Sequence, residues 1–110
     1  MENRKMRNGS NFMEKLEEPK VIYNKLQENN LYNKSFKLAK LVFMTGHNLM
    51  KEHNEYIISK QLIKSGTSIG ANIAEAIGGI STNDFSHKIS IAYKESLETK
   101  YWLDLLKATS

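Results

Sequence analysis

Apolar residues recur at intervals of three and four over three long stretches of the chain. In the first of these, Phe36, Ala39, Val42, Phe43, Gly46, Leu49 and Met50 share one face, and Leu38 and Leu41 widen it. That spacing predicts an amphipathic helix over about 34–51, with Asn33 or Ser35 as its cap. Residues 53–56 then read as a short turn. The second stretch, about 55–77, carries two apolar lines side by side. Ile58, Leu62, Ser65, Ile69, Ile73 and Ala76 make one, and Ile63, Gly66, Gly70, Ala74 and Ile77 the other. Together they cover roughly half the circumference, wider than the stripe of an ordinary surface helix, so this helix is expected to be packed on two sides. Gly66 and Gly70 each cost about 0.8–1 kcal/mol against alanine inside a helix. Close approach of a neighbouring backbone is the expected compensation, with Ser65, Gly66, Ile69, Gly70, Ile73 and Ala74 as the packing residues.

Gly78-Gly79 is expected to stop this helix by supplying positive φ. Ser81 can cap the next, with Asp84 three residues on as a short-armed capping box. Phe85, Ile89, Ala92, Ser96, Thr99, Leu103 and Leu106 then alternate by four and three over about 82–107, the seam of a left-handed bundle. Tyr93 and Leu97 fall outside that seam. Short connections between long helices imply an all-α, antiparallel, up-and-down bundle of the four-helix type. Three helices are evident and the chain ends at Ser110, so a fourth is expected to be absent. The vacant groove is expected to be covered by a neighbouring subunit or by residues 12–29. Residues 1–18 mix charges with Asn, Gly and Ser and read as a mobile arm; Pro19, Ile22, Tyr23 and Leu26 suggest a short helix or extended lead-in. The remainder, 19–110, is one domain.

Composition narrows the function. The chain of 110 residues has no cysteine, which excludes a disulfide framework and a thiolate metal site. It has no leader-like segment and no apolar run long enough to span a membrane, and is expected to be cytoplasmic. Net charge is +4, and its distribution is uneven. Residues 33–70 hold six lysines against Glu52 and Glu55, whereas residues 71–110 hold four lysines against five acids. Lys34, Lys37, Lys40, Lys60 and Lys64 are therefore the candidate nucleic-acid contacts. A solvated face that serves solubility is the alternative.

Other motifs point less far. Gly66-Thr67-Ser68-Ile69-Gly70 matches the G-x-S-x-G of a hydrolase nucleophile elbow, but that elbow needs a strand before the serine and a sharp turn at it, whereas helical periodicity runs straight through. Asp84 and His87 have the spacing of half a bundle metal site, with no second pair to complete it. Asn72 and Glu95 flank or enter the apolar arcs and are expected to join an interhelical hydrogen-bond network. Glu75 reads as an outward surface charge or subunit contact. No metal, cofactor or catalytic residue is expected.

The run SKQLIKSGTSIGANIAEAIGG (59–79) followed by DFSHKISIAYKESLETKYWLDLL (84–106) resembles the four helix bundle protein family, encoded in intervening sequences of bacterial 23S rRNA genes. The likeness covers about residues 33–108. It implies an antiparallel four-helix bundle whose members continue into a fourth helix. It also implies kinship with the accessory protein of diversity-generating retroelements, a basic homopentamer that works with a reverse transcriptase and nucleic acid. No catalytic residues come with it. Two readings of function follow: a non-enzymatic protein that binds RNA or DNA through its lysines, multiplied by homo-oligomerisation, or a protein-interaction scaffold.

Overall fold

The computed structural model of the protein describes residues 24–79 and 81–109. The expected N-terminal arm and the Pro19–Tyr23 part of the lead-in lie outside them. Residues 24–28 are helical, and three long helices follow: α1 (Asn30–His53), α2 (Ile57–Ile77) and α3 (Thr82–Thr109). No strand occurs among the described residues. The protein is an all-α helical bundle, as its periodicity predicts.

The helix ends show which local chemistry prevails. α1 starts earlier than expected because the side chain of Asn29, in extended conformation, accepts from the Tyr32 N–H at 2.8 Å. Asn33 and Ser35 lie inside the helix instead, donating to the carbonyls of Gln27 and Tyr32. α1 runs on to His53 and stops at Asn54, whose left-handed φ of 53° asparagine tolerates better than most residues. α2 then begins under the carboxylate of Glu55, which accepts from the N–H groups of Ile58 (2.8 Å) and Ser59 (2.7 Å) and from the Ser59 hydroxyl (2.6 Å). Slight burial pushes the Glu55 carboxyl up, but these bonds together outweigh it and hold its pKa below the ordinary value.

At the other end of α2 the expectation of positive φ fails. Gly78 has φ −84°, and no glycine among the described residues has positive φ. The helix closes instead through N–H bonds from Gly78 to the Ala74 carbonyl and from Gly79 to that of Ala76. A Cβ at Gly79 would lie 3.1 Å from the Ala76 carbonyl oxygen and would displace the carboxylate of Asp84. Ser81 caps α3 as expected, accepting from the Asp84 N–H at 3.0 Å.

α2 is the middle rod. α1 packs along one side of it and α3 along another, while α1 and α3 do not approach each other's backbone. The α1–α2 register is antiparallel, with Gly46 against Ser59 and Ile63, Val42 against Gly66, and Ser35 against Gly70. On the α3 side, Ile69 and Ile73 pack with Ala92. Leu62, Ser59 and Ser65 are the most completely buried side chains. The apolar face expected of α1 is only partly covered. Phe36, Leu41 and Phe43 are 52%, 63% and 50% exposed, because α1 has one long neighbour and only the arc through Ser35, Val42 and Gly46 meets it.

Candidate nucleic-acid interface

α1 and α2 are unusually poor in acids. Glu52 is the sole acid within α1 and Glu75 the sole acid within α2, while Glu55 between them is engaged as a cap. Lys34, Lys37, Lys40, Lys60 and Lys64 are all exposed. Among the described residues none of the five takes part in an ion pair, unlike Lys88, paired with Glu75 at 2.9 Å, and Lys100, paired with Asp104 at 2.7 Å.

The fold sorts these lysines onto different flanks. Lys40 lines a shallow recess of about 370 Å³ with Ala39, Phe43, Met44 and Thr67, at the seam of α1 and α2. Lys64 and Lys60 lie one and two turns back from Thr67 along α2, and residues so spaced share a helix flank. Lys40, Lys60 and Lys64 therefore border one surface. Lys37 adjoins it on the outer ridge of α1. Lys34 does not belong to it, since it follows by one turn Leu31, which lines the opposite side of the molecule.

Two residues that the hydrophobic pattern assigns to the core, Phe36 and Phe43, complete this surface. Phe36, Lys40, Phe43, His47 and Lys51 follow one another at spacings of four, three, four and four, and all five are exposed. The rings of Phe43 and His47 are in contact, with centroids 4.4 Å apart, and Phe36 stands 6.1 Å from Tyr32. The spacing was present in the sequence. What concealed it was that Phe36 and Phe43 fit a buried stripe equally well when the number of neighbours around α1 is unknown.

On the opposite side, between α1 and α3, the floor of α2 is open. Leu31, Ile69, Ile73, Ile89, Ala92, Tyr93 and Ser96, none of them charged, line a largely apolar trough of about 230 Å³.

The remaining candidates are structural. Ser65, Gly66, Ile69, Gly70 and Ile73 are buried as packing residues, and Ala74 is half-buried. The expected network through Asn72 and Glu95 does not form. Asn72 donates to the carbonyl and hydroxyl of Ser68, one turn back in its own helix, and the Glu95 carbonyl accepts from the Thr99 hydroxyl at 2.8 Å. Glu95 is half-buried at the edge of the seam rather than inside it, so its carboxylate needs no partner from α2. The buried polar link between helices is instead the 2.9 Å hydrogen bond shared by the hydroxyls of Thr99 and Ser65. Glu75 is an exposed surface charge, one of the two expected readings, and pairs with Lys88, holding that ammonium above its usual pKa by hydrogen bonding and charge. Ser68 sits mid-helix, so the G-x-S-x-G run lacks the strand and sharp turn of an elbow. No group of three or more His, Asp or Glu side chains converges among the described residues. None of the described helices is long and apolar enough to cross a membrane.

The model of the 23S rRNA-intervening sequence protein family matches residues 27–110. A crystal structure of a protein with unknown function from the S23 ribosomal protein family of Bacteroides thetaiotaomicron VPI-5482 superposes with a TM-score of 0.71 at 45% identity, covering 73% of this chain and 71% of that one. No curated protein matches the chain.

Proposed function

The chain belongs to the 23S rRNA-intervening sequence protein family, and from that premise we propose that it is a non-enzymatic, cytoplasmic protein that associates with RNA or DNA through the α1–α2 flank. The observation that carries this reading is the set of exposed lysines, free of ion pairs among the described residues, on two helices with one acid each. An unneutralised lysine facing solvent can displace a counterion from a phosphate, and that displacement supplies most sequence-independent affinity. Oligomerisation would multiply such contacts.

The test is titration of RNA and duplex DNA across a salt series. Binding that weakens steeply with salt, and that drops when Lys37, Lys40, Lys60 and Lys64 are changed to Gln, is the expected result. Absence of binding at low salt rules the reading out. The second reading, an oligomeric protein-interaction scaffold with incidental charge, draws on the uncharged trough between α1 and α3, whose apolar walls suit a helix. Substituting Tyr93→Lys there should lower the assembled mass in solution if that reading is right and leave nucleic-acid affinity alone.

A further inference from the structure

Resting on the nucleic-acid reading, we propose that the α1–α2 flank is a site for single-stranded rather than duplex nucleic acid, with Phe36 and Phe43 as stacking platforms and Lys40, Lys60 and Lys64 as phosphate contacts. A duplex presents phosphates outward and hides the faces of its bases, so a surface that binds duplex needs lysines and gains nothing from exposed rings. A single strand offers both. The stripe Phe36, Lys40, Phe43, His47, Lys51 intersperses three rings with two lysines over four turns, about 22 Å at 1.5 Å per residue.

Three features make the rings available. Phe36 and Phe43 are about half exposed, so each is anchored along one edge while presenting surface to solvent. The recess beside Phe43 is walled by Ala39, Met44, Thr67 and the stem of Lys40, an apolar shelf next to an ammonium. The contact with His47 at 4.4 Å adds a second ring to the platform. Base stacking on such rings tolerates every base, so the site is expected to lack sequence preference. Ribose and deoxyribose strands share this chemistry.

The test compares a mixed-sequence single-stranded 12-mer, as RNA and as DNA, with the matching duplex by fluorescence anisotropy at fixed low salt. The single strands are expected to bind more tightly than the duplex. Phe36→Ala and Phe43→Ala should each weaken single-strand binding by roughly 5- to 150-fold, the range for removing one stacking ring, and leave duplex affinity unchanged. Phe36→Leu and Phe43→Leu keep the buried edge but not the ring, so they should give the same loss with an unchanged circular dichroism spectrum. Equal affinity for duplex and single strand, or no loss in the leucine variants, overturns this proposal while leaving the lysine reading intact. A change in oligomeric mass in those variants without a change in single-strand affinity would make the stripe a contact between copies, and also overturns it. If neither form binds, the nucleic-acid reading itself fails.

Discussion

The two seams along α2 are held by different means. Toward α1 the contact is made by what is missing: a Cβ on Gly66 would lie 3.0 and 3.1 Å from Cβ and Cγ1 of Val42, and one on Gly46 would lie 2.5 Å from two carbons of Ile63. Toward α3 the contact is made by what is present, a buried hydroxyl pair between Ser65 and Thr99 and an ion pair between Glu75 and Lys88 at the rim. The first seam specifies register by steric fit, and the second by matched polar groups. The difference teaches why lysines of two helices border one surface. Only a seam without side-chain bulk brings Lys40 of α1 up to Thr67 of α2, and with it the turns that carry Lys64 and Lys60.

The largest expected effect tests the steric seam. Gly66→Ala recovers about 1 kcal/mol of helix propensity, but Val42 is β-branched and cannot swing aside, so the helices must part at a cost of about 1–3 kcal/mol. Net destabilisation in urea titration is the expected outcome, and stabilisation would break the contrast. Gly70→Ala sharpens it, because the new methyl would be crowded by one atom, the Ser35 hydroxyl at 3.1 Å, with Cβ and the backbone carbon of Ser35 at ordinary contact distances of 3.6 and 3.7 Å; that variant should be neutral or gain up to about 1 kcal/mol.

The polar seam should lose about 1–2 kcal/mol on Thr99→Val, which removes one partner of a buried hydrogen bond. Ser65→Ala in the same background should then cost little more, as a double-mutant cycle would read.

Glu55→Ala, at the entry to α2, should cost about 1 kcal/mol as a lost cap. Its pH dependence has a definite sign. The folded pKa lies below the unfolded one, so the stabilisation is fully present above the ordinary carboxylate range and is lost as pH falls through the lowered folded value. Acid titration of stability should therefore be flatter in Glu55→Gln than in the unaltered protein.

The smallest effect should come from Glu75→Gln, whose ion pair with Lys88 is open to solvent. Any loss there should vanish at high salt.

The helices were legible because three- and four-residue spacing survives without knowledge of neighbours, and the close approach at Gly66 was legible because a helical glycine costs energy that something must offset. The ends were less so. The run Asn29, Asn30, Asn33, Ser35 offers several competing caps, and Glu55 is not a usual capping residue, so neither choice could be made before backbone geometry was known. Glycine at 78 and 79 suggested positive φ, whereas neither adopts it and α2 closes through the N–H bonds of Gly78 and Gly79 to Ala74 and Ala76. At the candidate site the lysines could be found by counting charge. Their division between flanks could not, because it depends on where α1 meets α2, and the same ignorance placed Phe36 and Phe43 inside.

The most direct test of the account exchanges equal charge at two places. Lys60→Gln with Lys64→Gln, on α2, is compared with Lys94→Gln plus Lys100→Gln, on α3, by measuring how nucleic-acid affinity falls with salt. The α2 pair should flatten the slope of log affinity against log salt by about 1.4–1.8, two phosphate contacts' worth, while the α3 pair leaves it unchanged. Equal flattening by both pairs would mean that net charge, and not the α1–α2 flank, governs binding.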